Sequence, residues 1–244
     1  MRIAISGASN SGKTTLINAF LRRWPMYGTP MKSYRELINE HELNHSSKTS
    51  EETQLLILDS MMKIQEQYKS SDNVILDRCT WDNLAYTLVA NSYEQVSDEV
   101  TAASISFVKE SMKNIDIIFW LEYDSDIKIL DNGVRDSNLD YIKEVNGVFA
   151  QLYEHYNDNL ESDIFYPKED CPAIIPVEGK TVDDRLFYIS QFIDEKGELI
   201  EPDSDLFSEE NLQILEQMLT DQTKAKSDDQ EVIKLMKEIS KIKK

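Results

Sequence analysis

Near the start of the chain stands Gly7-Ala8-Ser9-Asn10-Ser11-Gly12-Lys13-Thr14, and no other stretch restricts the fold as much. Glycine at both ends permits backbone conformations closed to other residues, so successive N–H groups can turn inward around an anion at the head of a helix. The run before it, Arg2-Ile3-Ala4-Ile5-Ser6, reads as a strand, and Thr15-Leu16-Ile17-Asn18-Ala19-Phe20-Leu21 reads as an amphipathic helix. So short a pattern also arises as an ordinary Gly-rich turn. The strand before and the helix after argue instead for a nucleoside-triphosphate phosphate loop. In that reading Gly7, Ser9, Asn10, Ser11, Gly12, Lys13, Thr14 and Thr15 hold the nucleotide, ATP. Lys13 reaches the β- and γ-phosphates, and the Thr14 hydroxyl binds Mg²⁺.

Charge narrows the partners. The 244 residues carry a formal net charge of −19, which repels nucleic acid and anionic membrane and disfavours broad DNA binding. A hydrophobic content of 41% supports one domain with a substantial core plus an appendage. Cys79 and Cys171 are too few for a disulfide framework, and no metal-ligand spacing surrounds them or His41, His45 and His155. No run approaches a membrane span, and the first residues enter the strand without a basic region or cleavage site. The expected location is therefore the cytoplasm.

Along the chain, Trp24-Pro25-Met26-Tyr27-Gly28-Thr29-Pro30 breaks the first helix, and a weak second strand or loop is expected to end near Met31 to Tyr34. A short helix begins at Ser33 to Ile38, and the polar stretch His41 to Glu52 reads as a lid or loop on the acceptor side. Helices are expected over Glu51 to Lys69, Trp81 to Ala90, Asp98 to Lys113, Leu139 to Tyr156 and Gly179 to Asp194. Asn73 to Asp77, Asp116 to Leu121 and Ala173 to Val177 read as buried strands. Strands alternating with helices imply an α/β fold with a parallel sheet of about five strands covered on both faces. The domain is expected to span residues 1–194. Residues 195–244 follow as an acidic linker and two short helical patterns, packing on the domain or on a second subunit of a homodimer.

Ligands in open parallel sheets sit at the carboxyl ends of the strands. Asp77, ending a strand, is placed to hold Mg²⁺ through water or to accept a proton from an attacking hydroxyl, and Arg78 offers a planar fork to a phosphate or sugar. The bland alternative has Asp77 capping the next helix and Arg78 paired with a surface carboxylate. Arg35 stands where an acceptor would lie, or else faces solvent beside Asn39. Arg135, in the turn Asp131-Asn132-Gly133-Val134-Arg135-Asp136, can swing over the triphosphate or remain a solvated turn residue. Asp82 either binds the acceptor's sugar or base or serves as a carboxylate in a helix's first turn. Trp81, Tyr86 and Trp120 either stack on a base or belong to the core.

Four local matches carry a family resemblance. They are Gly7 to Thr14; Tyr34-Arg35-Glu36-Leu37; Val74-Ile75-Leu76-Asp77-Arg78 with Trp81-Asp82-Asn83-Leu84-Ala85-Tyr86; and Asp131-Asn132-Gly133-Val134-Arg135 with Tyr141. With these, residues 1–194 resemble the nucleoside and nucleotide kinase branch of the P-loop superfamily. More closely they resemble AAA-type kinase-like domains grouped with the ribosylnicotinamide kinase domain and thymidylate kinases, many of them phage-encoded. The resemblance implies a three-layer α/β/α P-loop NTPase fold. It also implies transfer of the γ-phosphoryl group of ATP to a (deoxy)nucleoside or its monophosphate, with Asp77, Arg78 and Arg35 on the acceptor side and Arg135 in a lid. Two departures stand out: the next basic residue after Arg135 is Lys143 rather than a second lid arginine, and Lys32-Ser33-Tyr34 replaces the usual carboxylate before Arg35. Two other functions compete, a kinase acting on modified bases or ends in DNA and a non-catalytic ATP-binding switch.

Overall fold

In a computed structural model of the chain, the structure describes residues 1–31, 36, 49–124, 138–158, 164–167 and 170–200. Arg35, Arg135 and the helices expected in the tail lie outside these residues. The chain divides into two compact units, Met1–Leu199 and Ile200–Lys244, and every element below belongs to the first.

Four strands form one parallel sheet: β1 (Arg2–Ser6), β2 (Val74–Asp77), β3 (Ile117–Trp120) and β4 (Ala173–Pro176), in the order β2-β1-β3-β4. The register pairs Ile5 with Asp77 on one side and with Phe119 on the other. The sheet has four strands among the described residues where about five are expected, and the missing one survives as a single bridge. Gly28 N–H donates to Asn73 O (2.9 Å) and Ile75 N–H to Gly28 O (2.9 Å), beyond β2. Pro25 and Pro30 flank that point, and a residue without an N–H cannot extend a ladder.

Helices α1 (Lys13–Arg23), α2 (Glu51–Glu66), α3 (Thr80–Ser92), α4 (Asp98–Ser111), α5 (Leu139–Asn157) and α6 (Val182–Ile189) follow the strands, with a 3₁₀ turn at Met112–Asn114. Strand side chains alternate in direction, so β1 sends Ile3 and Ile5 to one face and Ala4 to the other. On the first face these residues pack with Leu16, Phe20 and Trp24 of the α1 region and Ile189 of α6. On the second, Ala4, Ile118 and Trp120 pack with Leu58, Leu84, Val108, Val145 and Phe149 from α2 to α5. Burial on both faces explains why the strands read as unbroken apolar runs. Each such side chain removed from water contributes about 1.5–3 kcal/mol.

The first unit runs past residue 194. Trp24 Nε1 donates to Asp194 O (2.7 Å), Tyr27 Oη donates to Gly197 O (2.6 Å), and Ile193 bridges Leu199 in an antiparallel turn. Those contacts tie residues 194–199 to the end of α1, so the acidic composition there does not make a free linker. Helix α6 stops at Ile189, short of the expected Asp194, yet Ile193 remains in the core and Phe192 packs against it.

Candidate functional site

The phosphate loop leaves β1 at its carboxyl end and enters α1. Gly7 has φ +132°, and a Cβ there would lie 2.3 Å from Leu121 O, so only glycine passes. Asn10 (φ 64°) and Gly12 (φ 92°) are also left-handed, giving the curled backbone that sequence alone predicts. Helices α2, α4, α5 and α6 start on side-chain caps from Ser50, Ser97, Asn138 and Thr181. Helix α1 starts on Gly12 with no side-chain cap and no acidic residue in its first turn. The head of α1 thus carries neither a side-chain cap nor an acidic residue of its own first turn, an arrangement that suits an anion site.

Lys13 is buried, and its Nζ folds back to donate to Gly7 O (2.8 Å), Ala8 O (2.5 Å) and Ser11 Oγ (3.1 Å). Thr14 Oγ1 donates to Asp77 Oδ2 at 3.4 Å, bringing the two residues expected to hold a metal together across β1 and β2. Both are hard oxygen donors, one neutral and one anionic, and that chemistry fits Mg²⁺ rather than a soft transition metal. Among the described residues no group of three His, Cys, Asp or Glu side chains gathers as a metal centre. Ser11 is buried within the loop, while Thr15 is exposed on α1.

The Asp77-Arg78 turn departs from the bland alternative on both counts. Asp77 does not cap α3; Cys79 stands at that cap, and its N–H donates to Asp82 Oδ2 (3.0 Å). Arg78 is a buried, non-glycine residue at φ 78°, a conformation usually confined to sites where the surroundings over-determine it. Its partner is a buried carboxylate, not a surface one: Arg78 Nη1 donates to Asp82 Oδ1 (2.9 Å) and to Gly7 O (2.9 Å). Gly7 O therefore accepts from two cations, Lys13 and Arg78.

Asp82, expected to face an acceptor or the first turn of a helix, is wholly buried in that first turn. It accepts from Ser6 Oγ (2.7 Å) and from Gly7 N–H (3.1 Å) as well as from Cys79 and Arg78. Those four contacts occupy both oxygens on the base of the phosphate loop. One turn further along α3, Tyr86 completes the arrangement. Ser9 N–H donates to its Oη (3.1 Å), Ser9 Oγ lies 3.0 Å away, Arg78 Nη2 donates at 3.2 Å, and the guanidinium sits 5.0 Å above the ring. Tyr86 thus meets the loop through its hydroxyl. Trp81 and Trp120 are core, edge-on to each other at 6.1 Å, with Phe149 beside Trp81 at 4.9 Å. The spacing of Asp82 and Tyr86, four residues apart on one helix, already places them on a common face.

Sequence reasoning passes over Arg185. From α6 it donates through Nη1 to Ser11 O (2.8 Å), closing a contact between residues 174 positions apart. Nothing local marks it as different from any helix arginine.

A family model described as an AAA domain matches residues 2–161, from β1 through α5. The chain belongs to that AAA domain family. No curated protein matches it. Among solved structures, this AAA domain is similar to deoxyadenosine kinase from M. mycoides bound to its products dCMP and dCDP. The TM-score is 0.55 at 16% identity, covering 78% of this chain and 97% of that one. It is similar to thymidylate kinase from Candida albicans at TM-score 0.53 and 23% identity, covering 82% and 94%. It also matches NadR in complex with NR at TM-score 0.55 and 12% identity, covering 83% of this chain and 53% of that chain, so it spans about half of NadR. The AAA domain shares with these proteins the P-loop nucleoside and nucleotide kinase fold. No helix among its described residues is long and apolar enough to cross a membrane.

Proposed function

We propose that this protein is an ATP-dependent phosphotransferase whose acceptor is a (deoxy)nucleoside or its monophosphate. The observation that carries the proposal is the uncapped start of α1, with Lys13 folded into the loop and Thr14, Asp77 and Arg78 gathered beside it. Backbone N–H groups at the head of α1 bind the polyphosphate, and Lys13 Nζ exchanges its bonds to Gly7 O and Ala8 O for phosphate oxygens. Thr14 and Asp77 would hold Mg²⁺, which supplies charge neutralisation at the β- and γ-phosphates when bound. Asp77, where it is not needed by the ion, takes the proton of the attacking hydroxyl. Arg78 lies one residue from Asp77 and is proposed on the acceptor side, where Nη2 would exchange Tyr86 Oη for a phosphate or sugar oxygen while Nη1 stays on Asp82. Arg35 is proposed on the acceptor side and Arg135 in a lid over the triphosphate.

The net charge of −19 weighs against a polynucleotide acceptor. One observation favours a non-catalytic ATP switch: Lys13 and Arg78 are both engaged by Gly7 O, so nucleotide binding would have to redraw the loop. Labelled ATP offered with a panel of nucleosides, deoxynucleosides and their monophosphates decides between them. The kinase reading expects label on one acceptor class. Tight ATP binding with no labelled acceptor across the panel would leave the switch.

A further inference from the structure

The connection from β4 to α6 returns to the phosphate loop through one side chain. Arg185 is only 6% exposed, and its Nε donates to Gly179 O (3.0 Å) while Nη1 donates to Ser11 O (2.8 Å). The turn behind it is closely wound. Gly179 has φ +120°, where a Cβ would fall 2.6 Å from Asp184 Cβ, and Thr181 and Asp184 cap α6 reciprocally. Burial lowers the pKa of the guanidinium, and the charge of Asp124 opposes that shift. An arginine starts so far above neutrality that it stays charged.

A trans peptide sets its C=O and N–H in opposite directions, and the described residues contain no cis bond. A cation that holds the Ser11 carbonyl therefore dictates where the Gly12 N–H points, which is away from Arg185. Hydrogen bonding at the carbonyl also polarises the peptide and strengthens its N–H as a donor. Gly12 itself is left-handed, and a Cβ on it would lie 3.0 Å from Arg185 Nη1, so the guanidinium packs against this glycine as well.

We infer that Arg185 is a positioning residue of the phosphate site, acting through the Ser11–Gly12 peptide to aim the Gly12 N–H at a polyphosphate. The inference rests on the nucleotide binding proposed above and extends it to a residue that touches neither base nor phosphate. The recognised chemistry is a polyphosphate chain, independent of the nucleoside attached to it.

The test uses the full chain with Arg185→Met, which removes every donor, and Arg185→Lys, which keeps the charge but loses the planar fork that meets Gly179 O and Ser11 O from separate nitrogens. Calorimetric affinities are measured for MgATP and for inorganic tripolyphosphate, and the Gly12 amide resonance is followed in the nucleotide-free protein. Arg185→Met is expected to weaken both ligands in parallel, by about tenfold or more, and to shift the Gly12 amide. Arg185→Lys should recover part of both, and KM for ATP should rise more than kcat falls. Unchanged affinities would overturn the inference, and so would a loss confined to MgATP, which would put Arg185 on the nucleoside instead. An unmoved Gly12 amide would equally overturn it. Should Arg185→Met not fold, Arg185→Lys carries the same readouts. A wild-type protein that binds neither ligand would defeat the proposed function, and the amide shift would still decide the peptide link.

Discussion

The phosphate loop is held on two flanks by different chemistry. On the α3 flank a carboxylate and a phenol, Asp82 and Tyr86, accept from Gly7 N–H, Ser6 Oγ and Ser9 N–H. On the α6 flank a guanidinium, Arg185, takes a carbonyl, Ser11 O. The first arrangement commits the Gly7 and Ser9 N–H groups to the protein itself. The second engages only the outward oxygen and sends the N–H of the same peptide to the opposite side. The proposed anion site accordingly lies in the second half of the loop and at the head of α1. The α3 flank is also electrically closed, since Arg78 and Asp82 neutralise each other in a buried pair at 2.9 Å.

The sharpest way to break this contrast is Asp82→Ala, which leaves Arg78 buried without its counter-charge and three further donors without their acceptor. It should destabilise the fold by about 3–5 kcal/mol, read from urea denaturation. A loss under about 1 kcal/mol would mean that the α3 flank is not a brace. Lys13→Ala removes a buried ammonium that donates to three loop oxygens, so it should lower the denaturation midpoint less than Asp82→Ala does and cut phosphoryl transfer by about 10²–10³-fold. Transfer at the wild-type rate would remove the loop's lysine from the chemistry.

Tyr86→Phe keeps the ring under Arg78 and deletes only the hydroxyl shared by Ser9 and Arg78, so its expected cost is smaller, about 1 kcal/mol. An unchanged midpoint would show that the hydroxyl contacts add nothing to the α3 flank. The mildest probe is thiol labelling of the native protein. Burial raises the pKa of both thiols, well above the ordinary range for Cys79, which is completely enclosed beside Asp82, and less for half-buried Cys171. Only the thiolate alkylates, so Cys171 should label first and faster as pH rises, with Cys79 protected until unfolding, as peptide mass spectrometry can read. Early labelling of Cys79 would mean that the α3 flank opens in solution.

Much of the fold can be read directly from the chain, because its signals are local. β1, β2 and β3 are largely buried runs, β4 is a partly buried one, and each ends within a residue or two of the expected position. The same holds for the loop, whose glycines adopt the positive φ values that the motif requires. Less legible was the fifth strand, seen among the described residues as one bridge at Gly28, with prolines on either side of it. Asp82 could be listed among the candidates from sequence, but its direction could not. Whether a carboxylate in the first turn of a helix faces a ligand or a loop depends on what packs against that turn.

From the order of residues alone came a phosphate loop between strand and helix, an α/β alternation and a cluster of candidates at the end of the strand Asn73 to Asp77. Periodicity and backbone freedom are properties of neighbouring residues, and neighbours suffice to reveal them. Only the folded chain decided that Arg78 pairs inward with Asp82, that Tyr86 meets the loop through its hydroxyl, and that Arg185 closes on Ser11. These contacts join elements distant in sequence, and their partners are chosen by how α3 and α6 pack on the sheet.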